Sequence, residues 1–372
     1  MNSLTLLLRS ARQNRRDLAL EDFSERQIHW AIESGLGPML RRYVADTPTA
    51  RDSAAWADLQ GSDLAARIIA AEHLDAMAEI IRACEGRIQP PTLLKGISVG
   101  GQFYPEPHLR PMRDIDFLVE KDDLPTVESA LRQLGYRQES TLSREFYETH
   151  HHTTPFRHPQ TGVWVEVHRG LCPGWSPVAT DPCFSLEHVS AERRSSEFRG
   201  YAVNRLSEEL QVLYLASHWA YDFRMAGGLV AMLDTIYLLE STRSIRWERI
   251  LGWLKGTAAA TPVYLLLTYL DRHGLVELPS GLIGELFRRQ RCFGRTSLGL
   301  LHTMIDRYVT NGREPGRIMS ERNFAILWQS LLLSGPEFRK LPLIFWMLLP
   351  SRHWLMRTAP SPALPGPAPD TS

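Results

Sequence analysis

The sequence predicts an α+β protein in which a compact α/β core lies between two helical regions. Three stretches of differing hydrophobic period carry this reading. Apolar residues recur by threes and fours before residue 88, the period becomes strand-like between about 91 and 206, and helical spacing returns from Ser207. The chain of 372 residues is long enough for two or three domains with a substantial buried core. The boundaries read as a helical region over 1–88, an α/β core over 89–206, a helical domain over 207–358 and a Pro-rich, disordered tail over 359–372.

Each element follows from local pattern. Trp30, Ile32, Leu36, Met39, Leu40 and Tyr43 recur at helical spacing, interrupted by Gly35 and Gly37. Leu64, Ile68, Ala71, Leu74, Met77, Ile80 and Ile81 share one face of an amphipathic helix, for which Asp63 is the expected N-cap. Pro90-Pro91 forbids further helix. Thr92-Leu93-Leu94 then reads as a short buried strand, and Lys95-Gly96-Ile97-Ser98 as the start of a helix. A second strand runs over Asp116–Val119, entered from Asp114. Asp123 caps a helix whose Leu124, Val127, Leu131 and Leu134 share a face, and Gly135 stops it. Phe146–Phe156 and Val163–His168 read as two strands joined across the turn-prone run Pro159-Gln160-Thr161-Gly162. A last strand is expected near Tyr201-Ala202-Val203. Ser207, followed by Glu208 and Glu209, opens a helix carrying Leu210, Leu213, Leu215 and Trp219. Ala226-Gly227-Gly228 separates it from Leu229–Leu239, and further apolar helical segments fill 246–357. No internal repeat is visible.

Bulk properties exclude several classes. Lys+Arg and Asp+Glu both total 42, so no overall attraction to long nucleic acid or anionic lipid is expected. The lysines are Lys95, Lys121, Lys255 and Lys340, and the arginine bias of the remaining cations carries no functional reading. Cys84, Cys172, Cys183 and Cys292 form no C-x-x-C pair, which fits free thiols in a reducing cytoplasm. The N-terminal apolar run is too short for a signal peptide and meets Arg12, Arg15 and Arg16 at once, so a cytoplasmic protein is expected. Leu341–Leu349 is about half a membrane span and reads as a buried helix, so no membrane partner is expected.

The chemistry concentrates on acids. Asp114 and Asp116 leave the same face of a strand, while Ile115 and Phe117 leave the other. Two carboxylates about 4 Å apart repel by about 4 kcal/mol at an effective dielectric near 20. Such a pair calls for a cation, and oxygen ligands suit Mg²⁺ or Mn²⁺. A glycine at a helix start lets backbone N–H groups approach a phosphate, and Lys95, Arg110 and Arg113 flank the acids either as phosphate ligands or as salt-bridge partners. Trp164, Glu166 and His168 share one strand face opposite Val163, Val165 and Val167, which suits either a cleft or a solvated surface. In His150-His151-His152, with His158 nearby, alternate rings could share a strand face. No acidic or cysteine partner stands at a convincing spacing, so solvated histidines are the expectation over a zinc site.

The run Leu93-Leu94-Lys95-Gly96, Tyr104-Pro105 and Leu109-Arg110-Pro111-Met112-Arg113-Asp114-Ile115-Asp116-Phe117-Leu118-Val119 resembles the uncharacterised nucleotidyltransferase family of the polymerase-beta-like superfamily. The later Trp164-Val165-Glu166-Val167-His168 is similar to the family's third-acid strand, and Leu206-Ser207-Glu208-Glu209, His218 and Met232-Leu233-Asp234-Thr235-Ile236 more faintly to its helical half. The resemblance covers about 20–350 and is specific from 93 to 119. Two features depart from the superfamily pattern. Gly96 and Asp114 lie farther apart than its glycine and acids, with Ile97 between Gly96 and Ser98, and the third acid is Glu166 where aspartate is common.

The resemblance implies a small mixed sheet with flanking helices and Mg²⁺-dependent transfer of a nucleoside monophosphate from a nucleoside triphosphate to an acceptor, releasing pyrophosphate. It implies Asp114, Asp116 and Glu166 as the catalytic, metal-holding acids, and Lys95, Gly96, Ser98, Arg110 and Arg113 as nucleotide ligands. His168, His218 and Asp234 would line the acceptor side or support the acids, although a satisfied core histidine and a salt-bridged aspartate read equally well. A small molecule, a peptide or a protein would serve as acceptor. The alternative is a catalytically inactive nucleotide- or partner-binding protein that keeps the fold. A kinase-like phosphotransferase ranks low, because the sequence has no G-x-x-x-x-G-K-[ST] or H-R-D-type segment.

Overall fold

The computed structural model describes residues 3–306 apart from 141, 222–226, 243, 291–292, 295–297 and 300. The expected break at Ala226, Cys292, the apolar run Leu341–Leu349 and the tail lie outside the described residues. The first helical region comprises α1 (Ser3–Gln13), α2 (Glu25–Glu33), α3 (Gly37–Tyr43), α4 (Pro48–Arg51) and α5 (Ala54–Cys84). Ser24 and Gln27 cap α2 reciprocally, each side chain accepting the other's backbone N–H. The long α5 starts earlier than expected, because the Ser53 hydroxyl accepts the N–H of Trp56. Asp63 is therefore inside the helix rather than at its cap, where it pairs with Arg67 and His108.

The core contains β1 (Thr92–Leu93), α6 (Lys95–Phe103), β2 (Asp114–Leu118), α7 (Leu124–Gln133), β3 (Arg137–Gln138), α8 (Arg144–Thr149), β4 (Phe156–Arg157), β5 (Trp164–His168), α9 (Leu186–Ala191), β6 (Arg193–Phe198) and β7 (Tyr201–Leu206). The strands form one mixed sheet in the order β3-β4-β5-β2-β1-β7-β6. Parallel pairing joins β2 to β5 and β1 to β7; the other neighbours are antiparallel. The helical second half adds α10 (Glu208–Tyr221), α11 (Gly227–Ser241), α12 (Trp247–Trp253), α13 (Ala260–Arg272) and α14 (Leu282–Arg289). This architecture matches the expected nucleotidyltransferase-like α+β class.

Three local readings are corrected. Phe146–Phe156 is not a continuous strand: Ser143 caps the short helix α8, the three histidines form an irregular bend that touches the sheet through an isolated bridge at His152, and the strand itself is Phe156 and Arg157. The strand β6, Arg-Arg-Ser-Ser-Glu-Phe, carries no apolar alternation to announce it. It is an edge strand held by its ladder to β7, and polar residues on an edge also discourage pairing with other chains. The two-residue β3, at the other edge and exposed on both faces, was invisible for the same reason.

The two sheet faces bury different partners. Ile115, Phe117, Val165 and Val167 pack against Met77, Ile80 and Ile81 of α5 and Val127 and Leu131 of α7. Leu118, from the opposite face of β2, joins a core built with Met39, Tyr43, Trp219 and Leu233. Helices from before and after the sheet thus share one core, and the Tyr43 and Tyr237 hydroxyls meet at 2.8 Å within it. Among the described residues, no helix is long and apolar enough to cross a membrane.

The start of α10 rests on an ion pair. Ser207 caps Leu210, and the Glu209 carboxylate accepts from Arg246 Nε at 2.8 Å and from the Arg246 backbone N–H at 3.1 Å. Burial alone would raise the Glu209 pKa, but the hydrogen bonds from Arg246 outweigh it and hold it at about 2. A depressed carboxyl contributes stability above its unfolded pKa and loses it as pH falls through the folded value. Because Arg246 is half-exposed, solvent screens the pair, and Glu209→Gln is expected to cost about 1–2 kcal/mol at pH 7. Urea denaturation should show the gap between the wild type and this variant narrowing from about pH 4.5 downward. A gap that stays constant to pH 2.5 would rule the ionised pair out as its source.

Candidate active site

Register on the sheet assembles the acids. The parallel β2–β5 pair places Asp114 beside Trp164, Asp116 beside Glu166 and Leu118 beside His168. In-register neighbours on parallel strands project from the same face about 4.8 Å apart. Alternation along each strand then keeps Asp114, Asp116, Glu166 and His168 on the face opposite the valines and Phe117. Asp116, Glu166 and His168 each present a ligand atom, and these atoms lie within 4.8 Å of one another.

Asp116 is buried between two cations. Its Oδ1 accepts from Lys95 Nζ at 2.8 Å and from His168 Nε2 at 2.8 Å. The Lys95 ammonium also lies 3.9 Å from Glu166 Oε2, and His168 Nε2 lies 3.7 Å from the same oxygen. Burial disfavours the Asp116 charge, yet Lys95 and His168 more than offset it and hold the pKa well below the usual carboxylate range. Burial likewise opposes the charges on Lys95 and His168, but the facing carboxylates prevail and raise both pKa values. The His168 Nδ1 faces the Gly170 carbonyl at 3.3 Å, so both ring nitrogens act as donors in the charged form. Glu166 follows the same balance, lowered against its burial by His168 and Lys95.

Lys95 reaches this position from a costly backbone. It sits at the β1–α6 junction with φ of 42°, in the left-handed region that a long side chain seldom adopts. Such a conformation costs about 1–3 kcal/mol and persists where surrounding contacts over-determine it. The ion pair with Asp116 is such a contact.

Asp114 has the opposite surroundings. Its half-buried carboxylate makes no hydrogen bond or ion pair among the described residues. Burial, reinforced by the charges of Asp116 and Glu166, pushes its pKa up to about 8. An uncompensated carboxylate beside two others fits a divalent cation with oxygen ligands, and so does the acid-rich donor set. The expected Mg²⁺ or Mn²⁺ is chemically compatible with these residues.

A second ion pair stands behind Gly96. Arg110 donates in a fork to Asp234, Nε to Oδ1 at 3.2 Å and Nη2 to Oδ2 at 2.9 Å, and Tyr104 donates to Oδ1 at 2.7 Å. Asp234 is fully buried and anchors Arg110. A Cβ at Gly96 would meet Arg110 Nη1 at 2.7 Å and Met112 Cγ at 2.8 Å. The glycine is thus required by the close approach of Arg110, a reason that lies in tertiary packing.

The other expected residues divide. Ser98 is fully buried; its N–H donates to Leu94 at 3.2 Å, and its hydroxyl is engaged by Gln102 and Arg205. Its donors therefore serve the helix, and the free N–H groups of α6 belong to its first turn. Arg113 is exposed. His218 is half-buried on α10, its ring 6.2 Å from that of Tyr214. Two neighbours of the acids were not anticipated. Tyr214 is buried, its hydroxyl has no hydrogen-bond partner among the described residues, and it lies within the electrostatic field of Lys95 and Asp116. His152 Nε2 lies 3.7 Å from Glu166 Oε2. Tyr214 reads in sequence as one more core position of an apolar helix; the histidine run stands out in sequence, but nothing local places His152 beside Glu166.

Residues 24–273 match the family described as uncharacterised nucleotidyltransferase. No curated protein matches the chain.

Removing one member of the Arg110–Asp234 pair isolates its contribution. Asp234→Ala leaves a buried guanidinium uncompensated and takes away the Tyr104 acceptor, and is expected to destabilise the fold by about 3–5 kcal/mol. Guanidinium-chloride melts measure this; a midpoint equal to the wild type would show that the pair is dispensable.

Proposed function

The chain belongs to the uncharacterised nucleotidyltransferase family, and from that premise we propose that it moves a nucleoside monophosphate from a nucleoside triphosphate to a hydroxyl-bearing small molecule, peptide or protein. The observation that carries this reading is the in-register pairing of Asp116 with Glu166, with Asp114 beside them and without a hydrogen bond or ion pair among the described residues. A structural ion-pair network would not keep an unpartnered, half-buried carboxylate next to two more.

In this reading Asp114, Asp116 and Glu166 hold Mg²⁺, for which Mn²⁺ is a chemical substitute. When bound, the cation supplies charge to the triphosphate and lowers the pKa of the acceptor hydroxyl. Glu166, the more exposed partner of the pair, accepts the hydroxyl proton as the acceptor oxygen bonds to the α-phosphorus. The bond from that phosphorus to its bridging oxygen breaks, and pyrophosphate leaves with the electron pair. Lys95 bridges Asp116 and Glu166 in the free protein and turns to phosphate oxygens in the complex. Arg110, fixed by Asp234, and the first-turn N–H groups at Gly96 supply charge and hydrogen bonds to the same phosphates. His168 keeps Asp116 oriented through its Nε2–H. Arg113, exposed beside β2, is assigned to the outer part of the triphosphate, and His218 to the acceptor side.

The zero net charge favours a compact acceptor over long nucleic acid. The experiment is incubation with labelled ATP, GTP, CTP and UTP plus Mg²⁺ in cell extract, following pyrophosphate release and identifying the nucleotidylated product by mass spectrometry. Asp114→Asn and Asp116→Asn are expected to lose at least about 100-fold in pyrophosphate release. Asp114→Asn should fold normally, because its carboxylate has no hydrogen bond to lose. Undiminished release in either variant would end the metal assignment. Nucleotide binding without release in the wild type would favour the inactive binding protein instead.

A further inference from the structure

The histidine run contributes a second set of ligand-type side chains beside the acids. It forms a bend after α8 and rejoins the sheet at His152, which bridges His168 in antiparallel fashion. Successive side chains on a strand would alternate, but here the three rings face one another. The centroid of His150 lies 4.2 Å from that of His151 and 4.3 Å from that of His152, and His151 lies 4.8 Å from His152. One nitrogen of each ring lies within 4.8 Å of the other two.

The hydrogen bonds leave these nitrogens available. His152 Nδ1 donates to the Thr153 carbonyl at 2.7 Å, which puts the proton there and leaves a lone pair on Nε2. A backbone carbonyl orients metal-bound imidazoles in this manner. The Nδ1 atoms of His150 and His151 are shielded from solvent and have no hydrogen-bond partner among the described residues. Shielded polar atoms without partners are uncommon, and a missing ion is one physical reason for them. The backbone beneath is fixed, because the His151 carbonyl accepts from the N–H groups of Arg169 at 2.8 Å and Gly170 at 3.1 Å.

We propose that His150, His151 and His152 form a binding site for a transition-metal cation of the Zn²⁺ class, separate from the carboxylate site. Zinc–nitrogen bonds of about 2.0–2.1 Å place tetrahedral ligands about 3.4 Å apart, so the ring nitrogens, which lie within 4.8 Å of one another, reach that spacing by turning toward a common centre. Imidazole nitrogens select Zn²⁺ or Co²⁺ over Mg²⁺, which prefers oxygen. The fourth position is left to a water, and Glu166, whose Oε2 is 3.7 Å from His152 Nε2, stays with the carboxylate site. The ion would pin the α8–β4 connection against the end of β5.

The test uses the full chain, stripped with a chelator and titrated with Co²⁺ alone as the spectroscopic probe. One equivalent should produce the visible d–d bands of a tetrahedral nitrogen-rich site, and Zn²⁺ should abolish them. His150→Ala and His151→Ala are expected to weaken Co²⁺ binding at least about 10-fold, whereas Asp114→Asn should keep the bands. Bands that survive both histidine substitutions, or that vanish in Asp114→Asn, would overturn the site. Should the histidine variants lose their circular-dichroism signature, zinc K-edge absorption on the unmutated protein decides. Outer-shell scattering from three imidazoles supports the assignment, and a first shell of oxygen alone defeats it. Pyrophosphate release plays no part in these readouts, so the site and the proposed transferase activity stand or fall separately.

Discussion

The buried carboxylate of Asp116 is the constraint around which the molecule is arranged. An ionised group at 1 % exposure is tolerated only with close partners. Lys95 and His168 provide them from two different elements, at 2.8 Å each. Satisfying this charge sets the left-handed turn at Lys95 and ties the first strand to the second. It also locks the end of β5 beside β2, since His168 reaches Asp116 from two residues beyond Glu166. The same arrangement places Glu166 within reach of Lys95 while leaving Asp114 without an ion pair among the described residues. The acid cluster is thus held in shape by side-chain cations.

The Arg110–Asp234–Tyr104 cluster carries that arrangement into the helical half. Arg110 belongs to the loop before β2, and Asp234 to α11. Their forked pair engages both carboxylate oxygens of Asp234 and fixes one face of the guanidinium behind Gly96. The helices after the sheet therefore position Arg110, and they share their apolar core with the helices before it. Substitutions in that common core are expected to be felt at the site, because a packed interior transmits small displacements.

Much of this was legible in sequence, for identifiable reasons. Alternation exposed the two acid-bearing strands, because their opposite faces are filled by Ile115, Phe117, Val165 and Val167. The helix start at Ser207 and the stop at Gly135 follow from capping chemistry that acts over a few residues. Where burial does not impose a period, the signal was missing. The edge strand Arg193–Phe198 is mostly polar because little of it is buried: Arg193 and Arg194 form ion pairs with Glu120 and Glu208, and Phe198 alone of its residues enters the core. The segment after Ser143 mixes aromatic and charged residues that suit a strand or a helix equally, and its hydroxyl cap at Phe146 decides for the helix. Asp63 had every local mark of a cap, yet Ser53 took that role upstream.

What the sequence determined by itself was the inventory: acids two residues apart on a strand, a third acid followed by histidine on another, and a basic glycine turn ahead of them. It set the faces on which these side chains leave their strands, since that depends only on backbone geometry. Tertiary structure decided who meets whom. The parallel register put Glu166, rather than Trp164, beside Asp116. Packing gave Lys95 to Asp116 and Arg110 to Asp234, and it folded three consecutive histidines together where a strand would have separated them. Such pairings depend on distances between segments far apart in the chain. These distances are fixed by the sheet and the core, and no local pattern encodes them.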